Sequence, residues 1–168
     1  MISTLPASPA DLSQIDLLLD AGFGTARRGR TAYRLREGAL PIAALSFVAR
    51  DGDALVGSLQ CWPIQLRNAA GVAPLVLLGP VAVAAAAQGQ GVGTRLITAA
   101  LTAADASAAP PMLLIGDALY YGRFGFSAAA TGGWELPGPV ERHRLLLRGA
   151  GLPAMGTIEA RGAVHRVP

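Results

Sequence analysis

Lysine is absent from this chain of 168 residues, and all 14 of its basic residues are arginine. The absence excludes a lysine nucleophile, a Schiff base and the lysine of a Walker-type phosphate loop. A single cysteine, Cys61, excludes an intrachain disulfide and a cysteine-based zinc site. Charged residues make up only 15% of the chain and hydrophobic residues 52%, a composition that excludes a disordered protein.

Uninterrupted apolar runs are also missing. Residues 69–87 carry no charge, but Gly71, Pro74, Gly79 and Pro80 interrupt them. We interpret this segment as a buried strand that leads into a loop, and not as a membrane span. The first residues have neither the basic start nor the apolar stretch of a secretion signal. These observations predict a cytoplasmic protein that does not bind membranes.

Apolar spacing and turn residues predict the order of the structural elements. The predicted strands are residues 2–5, 45–50, 54–66, 75–83, 112–115, 134–136, 143–148 and 157–161, and the predicted helices are residues 9–21, 27–37, 94–106 and 118–124. The order is typical of an α/β (α+β) protein with a mixed, mostly antiparallel sheet and helices on both faces. We expect a single domain over residues 1–168, with a core in residues 1–126 and further strands in 127–168.

A glycine-rich loop, Gln88-Gly89-Gln90-Gly91-Val92-Gly93-Thr94, separates the apolar run 75–83 from the following helix. Glycine at every second position lets several backbone N–H groups converge, and the helix adds its unpaired N–H groups and positive dipole end. The pattern predicts a phosphate site. Counted from Gly89 or Gly91, the third glycine of the dinucleotide fingerprint falls on Thr94 or Leu96, so a Rossmann site does not fit.

The spacing Gln88-x-x-Gly91-x-Gly93 behind a buried strand resembles the pyrophosphate loop of the GNAT N-acetyltransferase superfamily. Farther along, Tyr120-Tyr121-Gly122-Arg123-Phe124-Gly125-Phe126 resembles the tyrosine-x-x-x-Gly-Phe element of the same superfamily. The resemblance covers residues 2–126. It implies the GNAT fold, in which the central strands splay around acetyl-CoA, and an acetyl-CoA-dependent N-acetyltransferase activity that uses no metal.

The resemblance also assigns roles to individual residues. It implies that the loop binds the pyrophosphate of acetyl-CoA and that the end of the preceding strand pairs with the pantetheine arm. The loop residues are Gln88, Gly89, Gln90, Gly91, Val92, Gly93 and Thr94, and the strand residues are Val81, Ala82 and Val83. Tyr121 matches the tyrosine whose hydroxyl reaches the CoA sulfur, and we expect it to act as the general acid.

A general base is not evident in the sequence. Many members of the superfamily carry a glutamate or histidine on the strand before the loop, but residues 75–83 include no ionisable side chain. We interpret Asp117 as the cap of the helix at 118–124 and His143 as a structural residue. Deprotonation through water, or capture of an amine that is already neutral, needs no base, and we name none.

The acceptor is predicted from charge alone. Five arginines lie close together with Glu37 as the nearby acidic residue; they are Arg27, Arg28, Arg30, Arg34 and Arg36. In this fold the acceptor enters beside that segment, so we expect a small amine that also carries a carboxylate or phosphate. Two other functions stay open, an acetyl-CoA sensor without catalysis and a protein acetyltransferase. Scattered arginines argue against nucleic acid binding, and the protein is expected to be a monomer or homodimer.

Overall fold

The computed structural model describes residues 1–162, and the end of the predicted C-terminal extension lies outside them. The strands are β1 Ile2–Pro6, β2 Phe47–Asp51, β3 Ala54–Asn68, β4 Gly71–Val83, β5 Met112–Ile115, β6 Gly133–Glu135, β7 Leu145–Arg148 and β8 Met155–Ala160. The α-helices are α1 Leu12–Phe23, α2 Thr31–Arg34, α3 Val92–Ala106 and α4 Ala118–Tyr121. Short 3-10 turns connect several of these elements.

The strands form one sheet in the order β1-β2-β3-β4-β5-β7, and β8 pairs with both β3 and β6. Pairing is antiparallel between β1 and β2, β2 and β3, β3 and β8, and β5 and β7. It is parallel between β4 and β5, where Val76 faces Met112 and Leu77 faces Leu113, and between β6 and β8. The predicted mixed, mostly antiparallel sheet is confirmed.

The chain divides into two compact units. The first unit comprises Met1–Arg27, Pro41–Cys61 and Leu78–Ala109, and the second comprises Arg28–Leu40, Trp62–Leu77 and the chain from Pro110 onward. Strands β3 and β4 contribute residues to both units. The expectation of a single domain stays a prediction.

Helices cover both faces of the sheet in the first unit. Ile15 and Leu19 of α1 pack with Val48 of β2. The next residue of β2, Ala49, pairs with Gly57 of β3. Because successive side chains of a strand point to opposite faces, Ala49 and Gly57 lie on the other face. There α3 approaches so closely that a β-carbon on Gly57 would lie 2.9 Å from a methyl group of Val92.

The second unit has its own hydrophobic core. Its largest fully buried side chain is that of Trp134, which donates an indole hydrogen bond to the Pro153 carbonyl at 2.9 Å. Leu113 of β5, Leu145 of β7 and Ile158 of β8 are completely buried in the same cluster. The predicted C-terminal strands therefore belong to a packed core.

Residues 27–37 differ from the helix that the sequence predicts. A 3-10 turn covers Thr25–Gly29, and only Thr31–Arg34 form an α-helix. Arg27 is 1% exposed and Leu35 is fully buried, so this segment has an inward face. The helical pattern predicted from sequence is broken here because buried contacts, and not local propensity, fix the segment.

The uncharged segment 69–87 folds as the strand β4 followed by the 3-10 turn Ala85–Ala87. This confirms its interpretation as a strand that leads into a loop. Across residues 1–162, no helix combines the length and the apolar character that a membrane crossing requires.

Candidate active site

The glycine-rich loop of the first unit leads directly into α3. Gly89 has a φ of +79° and Gly91 a φ of +73°, in the left-handed region that glycine enters without strain. Gly91 is also the N-cap of α3. A β-carbon built on either glycine would meet no other atom within 4 Å. Backbone conformation therefore favours glycine here, and the space beside each glycine is open.

The start of α3 supplies unpaired backbone donors to the same loop. The first hydrogen bond of the helix runs from the Arg95 N–H to the Gly91 carbonyl, at 3.1 Å. The N–H groups of Val92 and Gly93 precede this bond and have no carbonyl partner within the helix. The positive end of the dipole of this 15-residue helix lies at the same position. Together these features favour an anion such as a phosphate group.

Two glutamines fix the loop to the chain that precedes it. The Gln88 side-chain amide donates to the Val83 carbonyl at 3.3 Å, and the Gln90 amide donates to the Ala86 carbonyl at 3.3 Å. The Ala84 N–H donates to the Val56 carbonyl of β3 at 2.8 Å. The glutamine side chains therefore connect the loop to the residues that precede it.

The other predicted cofactor-binding residues differ in the burial of their side chains. Val92 is 2% exposed and packs over Gly57, whereas Thr94 is exposed. Ala82 is 5% exposed and packs in the cluster of α1 and β2, between the half-buried Val81 and Val83. The structure thus brings Val81–Val83 and the glycine-rich loop together in the first unit.

Tyr121 lies in the second unit, at the last residue of α4. Its ring packs against Gly116, where a β-carbon would lie 2.6 Å from Tyr121 Cε2. Among residues 1–162, no hydrogen-bond partner approaches its hydroxyl. Burial, with a smaller contribution from the neighbouring Tyr120, raises the pKa of Tyr121 to about 12, and the positive charge of Arg144 opposes this shift. The phenol therefore keeps its proton at neutral pH.

Asp117 explains why α4 begins where it does. It is the N-cap of the helix, and its carboxylate accepts a hydrogen bond from the Leu119 N–H at 2.9 Å. The predicted capping role is confirmed.

Tyr120 lies edge-on to Tyr121, with ring centroids 4.9 Å apart, and the Arg123 guanidinium lies 4.6 Å from the Tyr120 ring. Tyr120 therefore packs directly against Tyr121 on the same helix.

His143 lies in a 3-10 turn before β7. The sequence had predicted a strand that begins at this residue, and that prediction is wrong here. Its side chain is 76% exposed and its Nε2 lies 3.3 Å from the Glu141 carboxylate. A contact between two exposed polar side chains of this kind contributes little to stability. Neither observation assigns His143 the role of a base.

One of the five arginines in the predicted cluster, Arg27, is buried. Arg27 belongs to the first unit, where its Nε donates to Asp20 at 2.9 Å and its Nη2 to Asp16 at 3.2 Å. It is buried because it ties the 3-10 turn to α1, and it is not part of an exposed basic surface. Arg34 donates to the Pro137 carbonyl at 2.7 Å, and Arg36 lies over the ring of Trp62 at 3.9 Å.

Comparison with known proteins identifies the family. The family model of the acetyltransferase (GNAT) domain matches residues 43–128 of this chain. The uncharacterized N-acetyltransferase YjhQ of Escherichia coli (strain K12) is 28% identical over 137 residues, which cover 80% of this chain and 76% of YjhQ. The chain belongs to the GNAT acetyltransferase family, and the predicted class of enzyme, an acyltransferase that depends on acetyl-CoA, is confirmed.

Solved structures are similar over nearly the whole chain. A GNAT family acetyltransferase from Brucella melitensis, solved in complex with acetyl-CoA, has a TM-score of 0.70 and 25% identity, and the match covers 97% of both chains. The GNAT family N-acetyltransferase YhbS from Escherichia coli, solved with CoA, has a TM-score of 0.73 and 24% identity over 96% of this chain and 89% of that one. These matches confirm the predicted fold.

Proposed function

We propose that this protein transfers the acetyl group of acetyl-CoA to the primary amine of a small metabolite, in the cytoplasm. The observation that carries the proposal is the loop of Gly89 and Gly91, whose left-handed backbone borders open space at the start of α3. In the proposed complex, backbone N–H groups of residues 88–94 bind the pyrophosphate, and Val81–Val83 pair with the pantetheine arm. No metal takes part.

The proposed chemistry is direct transfer. The neutral amine attacks the thioester carbonyl, a C–N bond forms, the C–S bond breaks, and Tyr121 gives its proton to the departing sulfur. The proton lost by the amine passes to water, and the Tyr121 phenolate takes a proton back from water, so that the acid is restored. The raised pKa of Tyr121 supports the protonated state that an acid needs. Burial that raises the pKa of this phenol also raises the pKa of a thiol held at the same site.

The proposed acceptor carries an anionic group as well as its amine. With Arg27 removed from the cluster, the support comes from the arginines of the second unit, Arg28, Arg30, Arg34 and Arg36. Basic side chains favour a carboxylate or phosphate and disfavour a polycation.

Binding is tested by thermal unfolding with and without acetyl-CoA. A ligand at about one hundred times its Kd stabilises the folded protein by about 2.7 kcal/mol. The Gly91→Val variant, strained at a positive φ, loses this shift, and so does Gly91→Asn, because asparagine tolerates the left-handed region and its side chain enters the open space. Gly22→Ala, an exposed glycine with no atom within 4 Å of a β-carbon, is the matched control and keeps the shift. Absence of any shift in the parent protein would contradict the proposal.

Turnover is tested by thiol release from acetyl-CoA with a panel of small amines and peptides. In Tyr121→Phe the expected fall in kcat is about 10²- to 10⁴-fold, with acetyl-CoA affinity kept. A variant as fast as the parent would remove the acid role. Binding without turnover on any amine would favour the acetyl-CoA sensor, and turnover on peptides alone would favour a protein acetyltransferase.

A further inference from the structure

The two tryptophans of this chain differ in whether the indole N–H makes a hydrogen bond. Both are buried, Trp62 at 7% exposure and Trp134 at 0%. The Trp134 indole N–H donates to the Pro153 carbonyl, whereas the Trp62 indole N–H is buried without a hydrogen-bond partner among residues 1–162. A buried indole N–H usually has a partner, because an unmade hydrogen bond is costly. Trp62 therefore carries a donor that the fold itself does not use.

A positive charge lies over the ring that carries this donor. The Arg36 guanidinium carbon is 3.9 Å from the centroid of the Trp62 ring and 4.3 Å from that of Tyr33. A guanidinium that stacks on an aromatic ring still donates hydrogen bonds through its edge. A donor without a partner next to a guanidinium is complementary to an anionic oxygen.

The segment that carries Arg36 is held in place by contacts within the second unit. The Thr31 hydroxyl donates to the Pro139 carbonyl at 2.6 Å, and the Arg34 guanidinium donates to the Pro137 carbonyl at 2.7 Å. Leu35, next to Arg36, is fully buried in the same cluster as Trp62. The backbone at Arg36 is thus fixed, and its half-buried side chain lies over the Trp62 ring.

We propose that Trp62, together with Arg36, binds the carboxylate of the acceptor. This inference rests on the proposed function and deepens it, because it names the anionic group and the donor that recognises it. A carboxylate is planar and accepts two roughly parallel hydrogen bonds, one from the indole N–H and one from the guanidinium. The acceptor is accordingly an amine with a carboxylate, as in an α-amino acid, and Trp62 determines specificity without touching the reacting atoms.

The first test observes the indole N–H groups directly in the parent protein. In a ¹⁵N–¹H correlation spectrum the chain gives two indole signals, and the Trp62→Phe variant assigns them. The probes are matched pairs, phenylalanine with phenethylamine and leucine with 3-methylbutylamine. We expect a saturable downfield shift of the Trp62 signal with the amino acids only, and an unchanged Trp134 signal. A Trp62 signal that moves with none of the amino acids, or equally with the decarboxylated amines, overturns the inference.

The second test compares kinetics on the same pairs. Trp62→Phe keeps an aromatic ring under Arg36 and removes the N–H. It should lower kcat/KM for the amino acid about 10- to 100-fold through KM, the loss expected for one hydrogen bond to a charged group, and lower it far less for the decarboxylated amine. Arg36→Gln should act in the same direction. Trp134→Phe is the control, since its lost bond is structural; it should lower the Tm without changing the preference.

The two proposals fail in different ways. If acetyl-CoA binds and amines are acetylated with no preference for a carboxylate in either parent or Trp62→Phe, the carboxylate site is wrong and the proposed function stands. If acetyl-CoA does not bind, the proposed function is wrong, while the indole signal of Trp62 still decides whether this site takes a carboxylate.

Discussion

The ring of Tyr121 rests on the backbone of Gly116, so closely that a β-carbon there would lie 2.6 Å from Cε2 and 2.9 Å from Cδ2 of the ring. Gly116 is itself held by a hydrogen bond from its N–H to the Arg144 carbonyl, at 2.9 Å. Hence the end of β5 sets the position of the proposed acid, and glycine at this position is required by contact with the ring, not by backbone conformation.

Replacing Gly116 by alanine should therefore impair catalysis through Tyr121. The added methyl group forces the ring or the backbone to move, at a cost of about 1–3 kcal/mol. Because misplacement of a reacting group by a fraction of an ångström slows a reaction strongly, we expect kcat to fall at least about 10-fold while acetyl-CoA affinity is kept. Steady-state kinetics and calorimetric titration measure the two effects.

Gly122→Ala is the matched control for this prediction. Gly122 follows Tyr121 directly, and a β-carbon there would meet no atom within 4 Å. Its kcat should equal that of the parent. Equal kcat in Gly116→Ala and Gly122→Ala would show that the position of the Tyr121 ring is unimportant for turnover.

A second close contact positions the glycine-rich loop. A β-carbon on Gly57 would lie 2.9 Å from Val92 and 3.1 Å from Leu96. Gly57→Ala should push the first turn of α3 away from β3, lower stability by about 1–3 kcal/mol and weaken acetyl-CoA binding. Val92→Ala added to Gly57→Ala removes the clashing methyl group and should restore part of both. If the double variant binds acetyl-CoA no better than Gly57→Ala, the contact with Val92 does not control the loop.

The elements that could be predicted from the sequence are those specified by neighbouring residues. The loop at Gly89 and Gly91, the cap at Asp117 and the mixed sheet follow from local composition and periodicity. The contacts of Gly57 and Gly116 could not be predicted, because each joins residues from separate elements. A glycine inside a strand pattern signals a close approach, and Gly57 carried that signal, but nothing in the sequence names Val92 as the approaching residue.

The burial of Arg27 could not be predicted from the sequence either. Read as one of five nearby arginines, it suggested an exposed basic surface, but its partners Asp16 and Asp20 lie on the preceding helix. Those two acids are four residues apart and therefore share one face of α1, which was the available signal. The sequence could not show that the chain turns back at Gly24 to bring Arg27 against that face.

This burial makes a prediction about Arg27→Ala. The substitution removes the cation from two carboxylates and leaves a cavity where a side chain was 1% exposed. Since Asp16 and Asp20 are themselves partly exposed, we expect a loss of about 2–3 kcal/mol, below the ~3–5 kcal/mol of a fully buried pair. The exposed Arg28→Ala should cost less than about 1 kcal/mol. Chemical denaturation measures both values, and comparable losses would contradict the burial of Arg27.

The pKa of Tyr121 predicts the pH dependence of turnover. Burial raises this pKa from 10 to about 12, so the phenol stays protonated while the acceptor amine loses its proton. The rate kcat/KM should rise with pH through the pKa of the amine and then level off, without a falling limb up to about pH 10.5. A falling limb near pH 9 that disappears in Tyr121→Phe would mean that the phenol ionises far more easily than its burial implies.

The same raised pKa predicts how stability depends on pH. Below about pH 10 the phenol is protonated in both the folded and the unfolded chain, so its ionisation leaves stability unchanged. Above that pH the unfolded chain loses the proton first, and stability falls as the pH rises from about 10 towards about 12. Tyr121→Phe lacks the ionising group and should lose less stability over this window than the parent. Denaturant midpoints measured at pH 9 and at about pH 11 test this, and a parallel decline in the two proteins would contradict it.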